Sequence, residues 1–520
     1  MSRLDRPGKL GGAMRCAPHD LPLDAPVSTV EALPTVSAIA RPGRNCWRIE
    51  KATRASVIVD ADAYFEAGRV AMLKAKRRIM LIGWDFDARI RLGARHLANE
   101  PETLGDFVLW LVERQPQLEV FVLRWDIGAI RTLFRGTTGV TLLRWMLHKR
   151  IFVRLDHATP AGASHHHKIV VIDDCLAFCG GIDMTSNRWD TPEHLDAEPR
   201  RISPGGTPYG PWHDATTALE GPVAAALGEL ARERWRRAGG QPLEPLGITN
   251  DCWPPGLPCH FTDVAVAIGR SHPGTAGQQP IREIEATYLD LIAGARRHIY
   301  AENQYFASRR IAEAIARRLG EADGPEIVLI NPLSSHGWLE PIAMDTARAR
   351  LCCALQQLDR HGRLRLYHPC THDGRAIYVH AKILVVDEQV LHVGSSNMNN
   401  RSLRLDTECD VVVDAGLPGN GKSASAIRAI RDGLIAEHLG VDRADVCRRI
   451  AASGSLIDTI EALRGPGRSL RPYEIPDLRA VEKWLADNEV LDPEGPEEMF
   501  ESFTRRGLLR RLRWTFSHRT

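Results

Sequence analysis

Two stretches, SHHHKIVVIDDCLAFCGGIDMTSNRWDTPEH (Ser164–His194) and YVHAKILVVDEQVLHVGSSNMNNRSLRLDTE (Tyr378–Glu408), repeat one skeleton. His166, Lys168 and Asp173 are spaced as His380, Lys382 and Asp387 are. Gly180 and Gly181 stand seven and eight positions after Asp173, as Gly394 and Ser395 do after Asp387. A single His-x-Lys-x4-Asp would arise by chance about 0.02 times in a chain of this composition. Two copies with the same downstream spacing point instead to a duplicated unit. Only nine of the 67 basic residues are lysines, which makes two lysines in matching places harder to dismiss.

Working outward, the pattern around each motif recurs as well. Ala61–Ala75 reads as a helix and leads into the apolar strand Arg78–Gly83, with further strands at Glu119–Trp125, Arg150–Leu155 and Lys168–Asp173. The second set runs Tyr288–Ala295 as helix, then Arg297–Ala301, Glu326–Ile330, Arg363–Tyr367 and Lys382–Asp387 as strands. Alternation of this kind predicts an α/β fold made of two similar halves, each a mostly parallel or mixed sheet flanked by helices. The predicted divisions are a flexible arm at 1–47, a first half at 48–245, a linker at 246–274, a second half at 275–440 and a helical extension at 441–520.

Within a strand, alternate residues share a face. His166 is therefore expected to project with Lys168, and His380 with Lys382. An imidazole beside an ammonium suits a phosphate: the cation holds non-bridging oxygens while the imidazole attacks phosphorus or moves a proton. Asp173 and Asp387 complete the motifs, but they sit five positions past their lysines and read as structural braces. Three adjacent histidines, His165 to His167, invite a metal reading; neighbours on a strand face opposite ways, so none is assigned.

Composition sets limits on the rest. The 520 residues are 44% hydrophobic and 25% charged, with a net charge of +2, so no global charge pulls the chain toward nucleic acid. Eleven cysteines lack zinc-site spacing; Cys252 and Cys259 flank a Pro-rich loop that a disulfide would span, but reduced thiols are expected. The first thirty residues contain no apolar signal segment, and no apolar run approaches the roughly 20 residues that span a bilayer. A cytoplasmic protein in peripheral contact with membranes is expected, or one exported without a signal peptide. Thr504–Phe516 interleaves five arginines with Leu508, Leu509, Leu512, Trp514 and Phe516, a pattern for an anionic membrane surface or for packing back on the domain.

These motifs resemble the phospholipase D superfamily over roughly residues 60–440. The segments Gly180–His194, Pro211–Asp214 (PWHD), Leu219–Pro222 (LEGP), Glu302–Phe306 (ENQYF) and Gly394–Ser402 resemble its eukaryotic-type lipid-cleaving members. The resemblance implies one pseudo-twofold active site at the junction of the halves and covalent catalysis with no metal or other cofactor. His166 would attack phosphorus, His380 would protonate the leaving alcohol and then activate water or an acceptor alcohol, and Lys168 and Lys382 would hold the phosphoryl oxygens. Asn397 would add a neutral donor where the first half has Asp183. Glu408 and Asp190 are the candidates to orient the imidazoles, Ser395 belongs to the second motif's flank, and Trp84 is expected to wall the lipid site. His213 is read as either lining the pocket or being held by backbone.

The implied partners are a phospholipid at a membrane surface and water or an alcohol, with no nucleic acid, and a monomer is expected. No segment resembles a calcium-dependent lipid-targeting module, so activity in chelator is expected. The competing readings are a cardiolipin synthase-like phosphatidyltransferase, a nuclease-type phosphodiesterase and an inactive membrane-binding scaffold.

Overall fold

The computed structural model describes residues 38–475 apart from 94–96, 126–137, 159, 161, 248–249, 275–278 and 336–343. The arm up to residue 37 and the basic tail at 504–516 lie outside the described residues. The first half supplies strands β1 (Arg48–Val59), β2 (Arg78–Gly83), β3 (Glu119–Trp125), β4 (Ile151–Asp156), β5 (Ile169–Ile172), β6 (Leu176–Gly180), β7 (Trp212–His213) and β8 (Ala215–Glu220). The second supplies β9 (Phe261–His272), β10 (Ile281–Arg282), β11 (His298–Asn303), β12 (Glu326–Ile330), β13 (Leu364–Cys370), β14 (Tyr378–Val379), β15 (Lys382–Val386), β16 (Val390–Gly394) and β17 (Glu408–Asp414), and β18 (Ser469–Pro472) follows.

The halves do not keep separate sheets. One sheet runs β18-β13-β12-β11-β15-β16-β17-β9-β1-β8-β6-β5-β2-β3-β4, so each first-half strand within it has its counterpart at the mirrored position about the β9–β1 seam, while β7 pairs with β14 in a small sheet of its own. Parallel pairing joins β2 to β3 and β3 to β4, and likewise β11 to β12 and β12 to β13. The pairs nearer the seam are antiparallel, among them β1–β9, β1–β8 and β9–β17. The sheet is thus mixed, with parallel strands confined to its flanks.

Burial explains the layers. The residues of β2, RIMLIG, are buried throughout, as strands covered on both faces must be. Helices Ala61–Leu73 and Leu104–Arg114 cover one face of the first half, and Glu283–Gly294 and Arg309–Leu319 cover the second. The opposite face carries one core shared by both halves, closed by helices Pro222–Arg237 and Ser423–Leu439.

Three boundaries differ from the sequence reading. The segment 246–274 is not all linker, because β9 occupies its second part and zips the two halves together. Residues 38–47 are tied down: the Ile39 and Ala40 amides donate to Asp414 Oδ2 at 2.7 and 3.1 Å, and Asn45 donates to Asp290 at 2.8 Å. The extension beyond 440 is not purely helical either, since β18 adds an antiparallel edge to β13. Cys252 faces Cys175, with sulfurs 3.2 Å apart, while Cys259 donates to the Phe261 carbonyl; the two are not bridged to one another.

Candidate active site

Both motifs enter their strands late. β5 starts at Ile169 and β15 at Lys382, so His166, Lys168 and His380 sit on extended segments just ahead of the sheet. Each segment is pinned by the other half: the His166 amide donates to the Thr407 carbonyl (3.0 Å) and the His380 amide to the His213 carbonyl (2.7 Å). The aspartates lie in tight turns rather than on a strand face. Asp173 and Asp174 have φ of 51° and 56°, and Asp387 and Glu388 have 51° and 59°, the left-handed values that both central residues of a type I′ turn require. The Asp173 carboxylate accepts the amides of Lys76, Arg77 and Arg78 at 2.7–2.8 Å. Asp387 likewise accepts those of Arg296, Arg297 and His298 at 2.6–2.8 Å. These carboxylates anchor the start of β2 and β11 and point away from the imidazoles.

Each imidazole is held by a buried carboxylate from the opposite half. His166 Nδ1 lies 2.9 and 3.0 Å from the two oxygens of Glu408, at the start of β17. His380 Nδ1 lies 2.7 Å from Asp214 Oδ2, just ahead of β8. Ser395 Oγ donates to Glu408 Oε2 (2.5 Å), and the Ala215 amide donates to Asp214 Oδ1 (2.8 Å). With Nδ1–H committed to a carboxylate, Nε2 keeps its lone pair for the reaction. A Cβ on Gly181 would collide with the Asp214 carboxylate, so glycine there lets the carboxylate approach.

The lysines back the imidazoles. Lys168 Nζ donates to the His166 carbonyl (2.9 Å) and lies 3.3 Å from Asp183 Oδ2. Lys382 Nζ donates to the His380 carbonyl and to Gln304 Oε1 (3.3 Å), which also accepts from Asn397 Nδ2 (3.3 Å). The Asn397 carbonyl oxygen is buried without a partner. Trp84 packs edge-on against His166 with centroids 6.4 Å apart, and Trp212 lies 5.3 Å from the His380 ring.

Burial sets the ionisation. It pushes both imidazoles well below the usual histidine range, and Lys168 and Lys382 add to the effect, so the neutral rings dominate. Burial also raises the Glu408 and Asp214 carboxyls. Lys382 falls to about 7, mainly through burial, with Asp214 opposing the shift.

The comparisons with known proteins fit this duplicated site. The family model described as "Phospholipase D" matches residues 71–251, and "Cardiolipin synthase, PLD-like domain" matches residues 288–427, one on each motif-bearing half. The chain belongs to the phospholipase D superfamily. "Phospholipase D A" of Dictyostelium discoideum is 24% identical over 471 residues, covering 74% of this chain and 35% of the relative. "Phospholipase D alpha 1" of Zea mays is 24% identical over 515 residues, covering 71% of this chain and 63% of the relative. The chain thus spans between about a third and two thirds of the length of these curated relatives. Among solved structures, a phosphatidylserine synthase of Haemophilus influenzae Rd KW20 aligns with a TM-score of 0.48 and 14% identity, covering 71% of this chain and 86% of that one.

Within this superfamily site, one sequence expectation fails. Asp190 does not reach either motif histidine; it binds His194 (3.0 Å), Arg201 (3.0 Å) and the Trp212 amide (2.9 Å). Asp214 takes the orienting place instead. His213 is held by side chains as well as lining a buried interior, with Nε2 2.8 Å from Glu302. His165 and His167 both contact the Thr407 hydroxyl, at 3.0 and 3.1 Å, on the side away from the motif site. Gln304 stands directly after β11 as Trp84 stands after β2, and its place inside the ENQYF segment is the signal in the sequence that points to it.

Proposed function

We propose that the chain is a phospholipase D-type phosphodiesterase that cleaves glycerophospholipids, phosphatidylcholine-like lipids among them, to phosphatidic acid and the headgroup alcohol. The observation that supports this most is the crossed pair of dyads, His166 with Glu408 and His380 with Asp214, backed by two lysines.

In this reading His166 Nε2 attacks phosphorus, and the headgroup oxygen leaves with a proton from His380. Glu408 accepts the Nδ1–H of His166 and offsets the positive charge that develops on the ring as the phosphohistidine forms. Lys168, Lys382 and Asn397 stabilise the charge spreading over the phosphoryl oxygens. His380 then takes a proton from water or an acceptor alcohol, which displaces His166 and releases the product. The anionic phosphodiester would itself raise the proton affinity of His380, so the acid form arises when substrate binds.

The match of the second half to the cardiolipin synthase description favours one alternative, phosphatidyl transfer to an alcohol. Incubation with mixed phospholipids and a primary alcohol, followed by lipid mass spectrometry, separates the readings. Phosphatidic acid together with a phosphatidyl alcohol is expected. Unchanged lipids alongside cleaved nucleic acid would overturn the lipid reading. Among the described residues no helix is long and apolar enough to cross a membrane.

A further inference from the structure

Next to the Asp214–His380 dyad, four side chains from separate segments converge in the interior. They are Asp60 after β1, His194, His213 of β7 and Glu437 of the helix Ser423–Leu439. His213 Nδ1 lies 2.8 Å from Glu437 Oε1 and 3.4 Å from Asp60 Oδ1. His194 Nε2 lies 3.3 Å from Glu437 Oε1 and 3.6 Å from Asp60 Oδ2. We propose that these four residues bind a divalent transition-metal ion of the zinc type as a structural centre.

The spacing fits that ion. Tetrahedral zinc with bonds of about 2.0–2.1 Å sets neighbouring ligand atoms about 3.3 Å apart, and one ligand atom from each of the four side chains lies within 4.8 Å of the others. Two of the converging atoms, His213 Nδ1 and Asp60 Oδ2, are fully buried and make no well-aligned hydrogen bond; their near neighbours are the other members of the cluster. Poorly aligned contacts stabilise buried polar atoms little, and an ion at the common centre would satisfy both.

The far side of each imidazole also fits. His194 gives its other nitrogen to Asp190 (3.0 Å), and His213 gives its own to Glu302 (2.8 Å). A carboxylate behind the ring fixes the tautomer and raises the basicity of a metal-bound histidine.

Charge points the same way. Four carboxylates crowd this region: Asp60, Asp190, Glu302 and Glu437. Arg201 pairs with Asp190, and the Arg468 guanidinium donates to the backbone carbonyl of Glu437. His194 and His213 lie among the remaining carboxylates, and a dication bound to their ring nitrogens would take the place of the protons those rings otherwise need to offset the carboxylates. Two nitrogens with two oxygens suit zinc and its neighbours rather than calcium, which takes six to eight oxygens.

The centre would act through position. Asp60 Oδ1 accepts the Asp214 amide (3.1 Å), and the His213 carbonyl accepts the His380 amide (2.7 Å). Two of its ligands therefore hold the backbone on either side of the His380 dyad. The ion touches no reacting atom, and phosphoryl transfer on His166 proceeds without it.

The test reads metal rather than lipid turnover, so it succeeds or fails independently of the phospholipase reading. The full chain, purified and dialysed at neutral pH, is expected to carry about one transition-metal ion by elemental analysis, as a four-ligand site predicts. Stripping with chelator at raised temperature should lower the melting temperature, and zinc should restore it. Cobalt(II) loaded into the stripped chain should give the intense visible bands of a four-coordinate ion. The double variant His194→Ala with Glu437→Gln should lose the metal, while His372→Ala, an exposed histidine outside the cluster, keeps it. If the double variant does not fold, the cobalt spectrum of the unaltered chain decides. A chain that carries no metal and takes up neither zinc nor cobalt would overturn the proposal.

Discussion

The two halves share a frame and differ in what they hang on it. In the first, Lys168 faces a carboxylate, Asp183, and His166 lies beside Trp84. In the second, Lys382 donates to the side-chain amide of Gln304, which also accepts from Asn397 at the position matching Asp183, and His380 lies beside Trp212. The same scaffold therefore yields one ammonium next to an anion and one whose near side-chain partner is a neutral amide, and burial has lowered the second to about 7 against the pull of Asp214. Near-twofold symmetry brings two imidazoles and two ammoniums together; the departures from it give the two sides separate duties.

The comparison breaks most visibly if either imidazole is removed. His166→Asn and His380→Asn should each lower turnover of a short-chain phospholipid by about 10⁴-fold or more, as loss of a nucleophile or of its acid–base partner does elsewhere. Circular dichroism should remain native. Retention of a tenth of the activity in either variant would show that the halves are not obligate partners.

Next come the exchanged carboxylates. Asp214→Asn should cost about 10²–10⁴-fold in kcat with little change in KM, because the wrong tautomer of His380 becomes available. Glu408→Gln should do the same for His166. Since the carboxylates cross between halves, Asp214→Asn must behave as a defect of the second motif's histidine, read out as slower headgroup departure.

The pH profile sharpens the difference between the lysines. Burial has lowered Lys382, so its charge is present below about pH 7 and is lost as pH rises through that value. The kcat/KM of the free enzyme should therefore fall on the alkaline side near pH 7. On the acid side the His166 ring stays neutral, so the limb there should come from protonation of Glu408 and Asp214, whose carboxyls burial has raised. Lys382→Arg, which keeps its charge, should abolish the alkaline limb even if the maximum rate drops.

The smallest and most specific change copies one half onto the other. Asn397→Asp gives Lys382 the anionic neighbour that Lys168 has, and should move the alkaline limb upward by about one pH unit. An unmoved limb would mean that Lys382 does not set it.

Much of this was legible in the sequence because it depends on local spacing. His166 and Lys168, with Asp173 closing the hairpin, are encoded within a few residues, and the second copy made the duplication visible. The partner of His380 was not legible. Glu408 follows its motif through a short connection, whereas the first half inserts the long excursion around Asn187–Pro211 before Asp214. Asp190 was nearer along the chain and looked equivalent; Arg201 and His194, which occupy it, come close only after folding. The continuous sheet escaped notice for a similar reason. β9 lies behind a Pro-rich loop and reads as linker until its antiparallel register with β1 joins the halves. Long-range pairing leaves little trace in a periodic pattern.

The central claim is that one imidazole of this crossed pair becomes covalently attached to phosphorus. Rapid acid-free quenching of the enzyme with a short-chain phosphatidylcholine, followed by peptide mass spectrometry, tests it directly. A phosphatidyl adduct on the peptide containing His166, absent from His166→Asn, is the predicted result. An adduct on the His380 peptide, with His166 unmodified, would contradict it.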